Sequence, residues 1–341
     1  MKHLKNLAAL AAAVGLCLAA TGCAAGESGE DLRTIDVCEV THSVFYAPQY
    51  VAMHEGFFAD EGLELSLTVG QGADKVMAAV LSGSVDIGLA GPEASIYVLS
   101  EGRDDYPKVF AQLTQRDGSF LVGRAPDEDF QWEDLAGSTL LPGRKGGVPY
   151  MTLEYVVRSH GLTPGEDVIF DDSVDFSLMA SAFAAGTGDY VTIFEPTASA
   201  MELQGQGYIL ASVGEASGEV PFTAYFAAQS KMAEDPELFA GFTRAICRGQ
   251  QWVLTHTPEE VAAVLEPYFA DTDMEVLVQV VENYQAIDAW AHTPVMSRPG
   301  LEKLQDIMEQ AGELDHRVTY EELVDTTFAE EAVAALSEEA A

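Results

Sequence analysis

Basic residues are scarce in this chain of 341 residues, where 17 lysines and arginines stand against 55 aspartates and glutamates and the formal net charge is −38. A surface of this charge repels the phosphate backbone of nucleic acids and anionic lipid head groups. The composition therefore excludes a function that depends on a basic patch. It does not by itself indicate a cationic ligand, because charge spread over a surface mainly keeps a protein soluble.

Cysteine is also scarce, with four in the chain and no pair at metal-ligand spacing. Cys17 and Cys23 lie near the N-terminus, which leaves Cys38 and Cys247 either to form a disulfide, as an exported protein allows, or to remain as two buried thiols. Ser-His-Asp, CxxC, HExxH and phosphate-loop patterns are missing as well. We therefore predict a protein that is not an enzyme and that has no cofactor and no bound metal.

Residues 1–22 have the layout of a cleaved secretory signal, with two lysines followed by an apolar run over 7–20. Cys23 follows small residues that resemble a lipoprotein box, which makes it the expected lipid-attachment residue, although Ala20 stands where leucine is usual. The alternative is a plain signal peptide or a membrane helix, for which ~20 residues are needed. With 23–33 as a flexible tether, we expect a lipid-anchored protein on the extracytoplasmic face of the cell membrane.

Short strands and helices alternate between His42 and Tyr97, joined by glycine-bearing loops. Apolar residues recur at the strand period in LELSLTV, and Pro48 stands where the first turn of a helix tolerates proline. Such alternation predicts a parallel sheet whose ligand site lies outside the carboxyl ends of its strands. We therefore expect the loops at 42–47, 70–74 and 91–95 to line one cleft.

The ordered motifs APQYVA, EGFF, EGLEL, a glycine-rich loop and LSGSVDIG resemble the solute-binding proteins of the nitrate, sulfonate and thiamine-precursor transport group, the SsuA/THI5-like branch of ABC-transporter binding proteins. LAGSTL, VVRSHGLTPGEDV and GTGDYVTIFEPTAS extend the resemblance over roughly residues 34–330. It implies a two-lobed α/β fold of the periplasmic-binding-protein type II kind. Each lobe would be a mainly parallel sheet flanked by helices, with the ligand cleft between the lobes. It also implies an ABC permease and an ATPase as partners.

The strand-and-helix pattern begins again after a polar segment near residue 116, which suggests where the two lobes divide. We predict the first part of lobe 1 at 34–115, lobe 2 at 116–212, a helical return to lobe 1 at 213–328 and an acidic C-terminal tail at 329–341. Two crossing segments of this kind would form a hinge that lets the lobes close over a ligand. We expect a monomer.

The candidate ligand residues follow the predicted strands of both lobes. From lobe 1 they are His42, Phe45, Tyr46, Gln49, Gln71 and Glu93, and from lobe 2 and its border Arg116, Arg144, Lys145, Gly146, Gly147, Asp175 and Glu195. The glycines before a helix start, beside an arginine, would form an anion site. Other interpretations stay open: Phe45 as core, the basic pair as solvated surface charge, Asp74 and Asp175 as helix caps, and Glu195 as a first-turn acid favoured by the helix dipole.

These residues support two classes of ligand. The aromatic side chains and the two glutamates favour a planar nitrogen heterocycle such as a pyrimidine thiamine precursor, because rings stack and carboxylates accept from ring amines. The basic residues and the helix N-termini favour an oxyanion such as nitrate, a sulfonate or taurine. We favour the heterocycle, and keep a transporter-independent surface sensor or binding module as a third interpretation.

Overall fold

A computed structural model describes residues 32–339 of the chain. Its strands are β1 (Arg33–Glu39), β2 (Leu63–Val69), β3 (Ile87–Ala90), β4 (Pro107–Thr114), β5 (Ser119–Gly123), β6 (Thr139–Leu141), β7 (Ile169–Phe170), β8 (Tyr190–Phe194), β9 (Tyr208–Ser212) and β10 (Thr223–Ala228).

Helices connect and cover these strands. They are α1 (Ala47–His54), α2 (Phe57–Asp60), α3 (Ala73–Ser82), α4 (Glu93–Ser100), α5 (Val148–Ser159), α6 (Met179–Ala184), α7 (Thr197–Leu203), α8 (Val213–Ser217), α9 (Gln229–Glu234), α10 (Pro236–Thr255), α11 (Pro258–Leu265), α12 (Met274–Ala286), α13 (Arg298–Gln310), α14 (Tyr320–Leu323) and α15 (Thr327–Glu339), with short 3-10 helices at Val44–Tyr46, Trp132–Leu135 and Phe176–Leu178.

The strands form two five-stranded sheets, in the order β2-β1-β3-β10-β4 and β7-β6-β8-β5-β9. We call the first sheet with its helices lobe 1 and the second lobe 2. In each sheet four strands run in the same direction and one is antiparallel to its two neighbours, β10 in lobe 1 and β5 in lobe 2. The predicted two-lobed α/β fold is confirmed, with one antiparallel strand in each mainly parallel sheet. β5 and β10 are the first strands after the two crossings, so the strand that enters from the other lobe is the one that runs in the opposite direction.

The chain crosses between the sheets twice. The first crossing lies between Thr114, where β4 ends, and Ser119, where β5 begins. The second follows α8, which packs on α5, β5 and β9 of lobe 2, and ends where β10 begins at Thr223. Helix α8 therefore lies with lobe 2, inside the segment predicted as the return to lobe 1. The predicted lobe boundaries at 115 and 212 otherwise stay predictions.

Helices α10, α11, α14 and α15 pack on lobe 1, whereas α12 also contacts α7 and α13 contacts α5, both of lobe 2. Helix α10 packs against both α1 and α15, and α15 also contacts β4. Phe328, Ala329 and Ala332 of α15 are buried in these contacts. The segment predicted as an acidic tail from residue 329 therefore forms most of a docked helix, because an apolar stripe on this acidic segment packs on lobe 1.

The predicted signal peptide, the lipid site Cys23 and the tether up to residue 31 lie outside the described residues. Within residues 32–339, no helix is both long enough and apolar enough to span a bilayer. Cys38 and Cys247 are both buried and free, which decides between the two alternatives in favour of separate thiols.

Candidate ligand-binding site

A cavity of about 110 Å³ lies between the two lobes, at the carboxyl ends of the central strands of lobe 1. All three predicted loops of lobe 1 contribute to it, and the loop before α5 closes it from lobe 2. The lining residues are Val40, Thr41, Ser43, Phe45, Tyr46, Gln71, Gly72, Ala73, Gly91, Glu93, Gly143, Arg144, Gly147, Val148, Pro149, Phe176, Phe194, Phe222 and Thr223. The structure thus brings together six of the predicted site residues: Phe45, Tyr46, Gln71, Glu93, Arg144 and Gly147.

Aromatic rings form one wall of the cavity. The ring centroid of Phe45 lies 5.9 Å from that of Phe194 and 5.7 Å from that of Phe222. Phe45 itself is only 2% exposed, so it is part of the core as well as of the cavity. Phe176 packs edge-on to Phe194 at 6.1 Å but keeps 41% of its surface exposed, which leaves its ring accessible from the cleft.

Glu93 supplies the buried carboxylate of the cavity. It is the first residue of α4 and is 2% exposed. Its Oε2 atom has no hydrogen-bond partner among the described residues. Burial raises the pKa of Glu93 to about 7, although the backbone N–H groups of Glu93 and Val148 and the Arg144 guanidinium lower it. The group is therefore a hydrogen-bond acceptor that becomes protonated just below neutral pH.

Arg144 reaches the cavity from the loop that precedes α5. Its guanidinium lies 4.0 Å from the carboxylate of Asp74, and both side chains are at least half exposed. Asp74 is not the cap of α3: Gly72 occupies that position, and no side chain caps the helix. Gln71 stands beside it with a φ of +60°, the left-handed conformation that turns this loop into the cleft.

The neighbours of Arg144 do not all face the ligand cavity. Lys145 is exposed on the surface. The carbonyl oxygen of Gly146 accepts a hydrogen bond of 2.9 Å from the hydroxyl of Tyr97, which joins α4 of lobe 1 to lobe 2. Gly147 is the N-cap of α5 and lines the cavity with its backbone.

His42 and Gln49 belong to a hydrogen-bond network behind the cavity. The carboxylate of Glu39 accepts from Gln49 Nε2 at 3.0 Å and from the Tyr50 hydroxyl at 2.9 Å, and it lies 3.2 Å from His42 Nδ1. This contact raises the pKa of His42 above its ordinary value. The imidazole also stacks on Phe269, with ring centroids 4.6 Å apart. Neither side chain lines the aromatic cavity, because both contact a buried acid instead, and their predicted contacts with a ligand stay predictions.

Glu195 was predicted to accept from the ligand, and its carboxylate is directed elsewhere. It is buried and accepts hydrogen bonds from Ser199 N and Oγ at 2.8 and 2.6 Å and from Asn283 Nδ2 at 2.8 Å. Its carbonyl oxygen accepts from Ser43 Oγ at 3.2 Å. Because Ser43 and Asn283 come from lobe 1, Glu195 connects the lobes. With His42 it borders a second cavity of about 190 Å³ on the other side of Ser43.

Two more predicted residues lie away from the aromatic cavity. Arg116 is in the first crossing between the sheets, half-buried. Asp175 is exposed and stands at the start of the 3-10 helix Phe176–Leu178, as the capping alternative predicts, but its side chain makes no capping hydrogen bond.

Sequence reasoning missed the phenylalanines that complete the aromatic wall. Phe194 ends the strand YVTIF one residue before Glu195, so the strand-end rule that singled out Glu195 also applied to Phe194. Phe222 enters from the second crossing, a segment predicted only as a hinge. Phe176 directly follows Asp175, and no local pattern distinguished it from a core residue.

Comparisons with known proteins agree with this architecture. The sequence model of the family described as "NMT1/THI5 like" matches residues 44–261, more than half of the chain. The chain is 43% identical over 319 residues to YtlA of Bacillus subtilis (strain 168), covering 94% of this chain and 96% of that protein, which is named only as a binding protein.

Solved structures share the fold at low sequence identity. The alkanesulfonate-binding protein SsuA from Xanthomonas axonopodis pv. citri, bound to MOPS, superposes with a TM-score of 0.69 at 16% identity over 86% of this chain and 98% of SsuA. The periplasmic nitrate-binding protein NrtA from Synechocystis PCC 6803 gives the same TM-score and identity over 90% of this chain and 89% of NrtA. The solved structures thus share the two-lobed fold, and the family match together with the 43% identity to YtlA shows that the chain belongs to the NMT1/THI5-like family.

Proposed function

We propose that this protein captures a planar nitrogen heterocycle, such as a pyrimidine thiamine precursor, and delivers it to an ABC importer made of a permease and an ATPase. The observation that carries the proposal is the Oε2 atom of Glu93, which has no hydrogen-bond partner within residues 32–339 and lies in a cavity with an aromatic wall. A buried acceptor without a donor is unfavourable, and a ring amine would supply that donor.

The walls of the cavity support a flat ligand. Phe176 is accessible and stands near Phe194 and Phe222, so a ring could stack or pack edge-on against a ready aromatic surface. Among the predicted residues, we propose Phe45, Tyr46, Gln71, Glu93, Arg144 and Gly147 as the ligand contacts, together with Ser43 and Phe176.

An oxyanion is the second candidate, and Arg144 is the observation in its favour. Its guanidinium is half exposed, beside the N-terminus of a twelve-residue helix, where an anion is ordinarily favoured. A sulfonate, taurine or nitrate ligand would use this side of the cleft and leave Glu93 without a partner.

The remaining features of the function rest on the N-terminal sequence and on the family. We propose that Cys23 carries a lipid that holds the protein on the extracytoplasmic face of the cell membrane. We further propose that the protein acts as a monomer and as a binding protein rather than an enzyme. A transporter-independent sensor would share all of these features and would differ in having no permease gene beside its own.

Phe176→Ala tests the aromatic part of the site. If a ring stacks on Phe176, the variant should bind a 4-aminopyrimidine thiamine precursor about two- to tenfold more weakly, because stacking contributes about 0.5 to 1.5 kcal/mol beyond burial. The measurement is isothermal titration calorimetry on the soluble domain, with nitrate, taurine and methanesulfonate titrated in parallel.

Leu178→Ala is the matched control. Leu178 lies on the same 3-10 helix and is also exposed, at 54%, but it does not line the aromatic cavity. Its substitution should leave the ring affinity unchanged. The heterocycle proposal fails if the wild-type protein binds only the oxyanions, or if the two variants weaken ring binding equally.

A further inference from the structure

The N-terminus of α5 faces a carboxylate of the protein itself. Helix α5 begins after Gly147, its N-cap residue, which has no side chain to cap it. Pro149, in its first turn, has no N–H to offer a ligand. Val148, the first residue of the helix, lines the same cavity as Glu93 and Arg144. The backbone N–H of Val148 and the Arg144 guanidinium both lower the pKa of the Glu93 carboxyl, so they favour its ionised form.

The backbone of lobe 1 is shaped to hold Glu93 in this position. The side chain folds back over Gly91, so that a Cβ atom at residue 91 would lie 1.9 Å from Glu93 Oε2 and 2.7 Å from its carboxyl carbon. Any residue other than glycine would displace the carboxylate. Because α4 belongs to lobe 1 and α5 to lobe 2, Glu93 and the start of α5 line the cavity from different lobes.

We propose that Glu93 is the resident anion of the α5 N-terminus and that it excludes nitrate- and sulfonate-type ligands from the cleft. This inference rests on the proposed function, in that it takes the aromatic cavity as the ligand site. It gives Glu93 a second role: besides accepting a hydrogen bond from the ligand, this residue selects between the two classes of solute.

The physical reason is repulsion between like charges at short range. An oxyanion that approached Val148 and Arg144 would have to displace the Glu93 carboxylate or lie against it, in a site where little water screens the two charges. A neutral or cationic ring amine meets no such repulsion and can donate to the free Oε2 atom. The same residue therefore opposes one class of ligand and attracts the other.

Glu93→Gln and Glu93→Ala test this exclusion at pH 8, where the carboxylate of the wild-type protein is ionised. Both variants should bind methanesulfonate and nitrate at least tenfold more tightly than the wild-type protein in calorimetric titrations. Both should also bind the 4-aminopyrimidine more weakly, since they lose the anionic acceptor. Circular dichroism melting curves verify that each variant is folded.

Asp74→Asn is the charge-matched control. It removes one negative charge next to Arg144 but leaves Glu93 at the helix N-terminus, so its anion affinity should change less than threefold. If Asp74→Asn gains as much as the Glu93 variants, general electrostatics explain the effect and the inference is overturned. If neither folded Glu93 variant gains anion affinity, it is overturned as well.

The wild-type chain offers a test that needs no folded variant. Methanesulfonate stays ionised at every pH used, so its affinity should rise between pH 8 and pH 5.5 as Glu93 becomes protonated. The other groups near Glu93 are the Arg144 guanidinium, the Asp74 and Glu313 carboxylates and the Tyr97 hydroxyl, whose pKa burial raises above its ordinary value. A flat or falling affinity would overturn the inference.

Failure of the inference and failure of the proposed function give different results. Ring binding by the wild-type protein without any gain of anion affinity in the variants would remove the exclusion and leave the proposed function intact. If the variants gain anion affinity but the wild-type protein does not bind the ring, the exclusion by Glu93 stands and the proposed function fails. Tight sulfonate binding by the wild-type protein at pH 8 would contradict both.

Discussion

At the scale of single residues, the buried carboxylate of Glu39 holds the loop that follows β1. It is fully buried and accepts hydrogen bonds from Gln49 and Tyr50 while it contacts His42. Gln49 in turn accepts from the Tyr225 hydroxyl at 3.0 Å. The aromatic wall of the ligand cavity begins a few residues later in the same loop. The Glu39 network therefore positions that wall without touching the ligand.

Glu39→Ala should lower the free energy of unfolding by about 3 kcal/mol. The substitution leaves the buried Gln49 amide without its acceptor and leaves the Tyr50 hydroxyl only His42 Nδ1, at 2.9 Å, as a partner. An unsatisfied buried group costs about 1 to 3 kcal/mol. Urea unfolding followed by circular dichroism gives the value. Glu64→Ala, at an exposed position of β2, is the control and should change stability by no more than about 0.5 kcal/mol. Equal effects of the two substitutions would show that the network contributes no stability.

At the scale of elements, the first crossing between the sheets is a tightly packed segment rather than a loose linker. A Cβ atom at Gly118 would lie 2.5 Å from the Phe45 ring, and one at Gly214 would lie 2.1 Å from the Asp117 carbonyl oxygen. The Asp117 side chain accepts from Ser119 N and Oγ at 2.7 and 2.6 Å through Oδ1, while Oδ2 has no partner within residues 32–339. Burial raises the pKa of Asp117 to about 7.

This raised pKa predicts a pH dependence of stability. The folded state binds the proton of Asp117 more tightly than the unfolded state, where the pKa is 3.8. The contribution is therefore fully present below the unfolded value and is lost as the pH rises through about 7. Between pH 5 and pH 8, Asp117 should account for a decrease of about 2 to 3 kcal/mol in the unfolding free energy of the wild-type protein. Asp117→Asn should lack this part of the decrease.

Urea unfolding at several pH values measures this difference in slope. Glu93, Glu195 and His42 also have raised pKa values, but they affect the wild-type protein and the variant alike. The difference between the two slopes of unfolding free energy against pH therefore reports the contribution of Asp117. Asp175→Asn, at an exposed carboxylate, should keep the wild-type slope. Parallel curves for the wild-type protein and Asp117→Asn would contradict the prediction.

The elements themselves were largely predictable from local sequence. The strand YVTIF occupies Tyr190–Phe194 and LELSLTV occupies Leu63–Val69, as the two-residue period predicts. Pro48 lies in the first turn of α1. The acidic segment that forms α15 was misinterpreted because its burial depends on α10, which is distant in the sequence.

At the scale of the whole molecule, a few hydrogen bonds join the two lobes around the cavity. Tyr97 donates to the Gly146 carbonyl oxygen, and Ser43 donates to that of Glu195. Asn283 of α12 donates to the Glu195 carboxylate. Each bond contributes only about 0.5 to 1.5 kcal/mol, which suits lobes that open and close around a ligand.

Tyr97→Phe should shift the molecule toward the open arrangement. The loss of one bond of the closed state should weaken ligand binding by about two- to tenfold and increase the radius of gyration of the ligand-free protein in small-angle X-ray scattering. Tyr106→Phe is the control, because its hydroxyl also donates to a backbone oxygen, that of Glu322 at 2.8 Å, but within lobe 1. If both variants behave alike, the Tyr97 contact does not govern closure.

Local sequence by itself determined the alternation of strands and helices and the three loops that meet at one cleft, because hydrophobic periodicity and glycine positions act over a few residues. The two-lobed class was implied by the resemblance of the ordered motifs to a known family. Only the tertiary structure decided which polar side chains enter that cleft. Glu93 and Glu195 both follow a strand and precede or begin a helix, so their local patterns are alike. Glu93 is left with a free oxygen beside α5, whereas Asn283 of α12 and Ser199 already engage Glu195. The difference comes from helices far along the chain, whose positions no local pattern encodes.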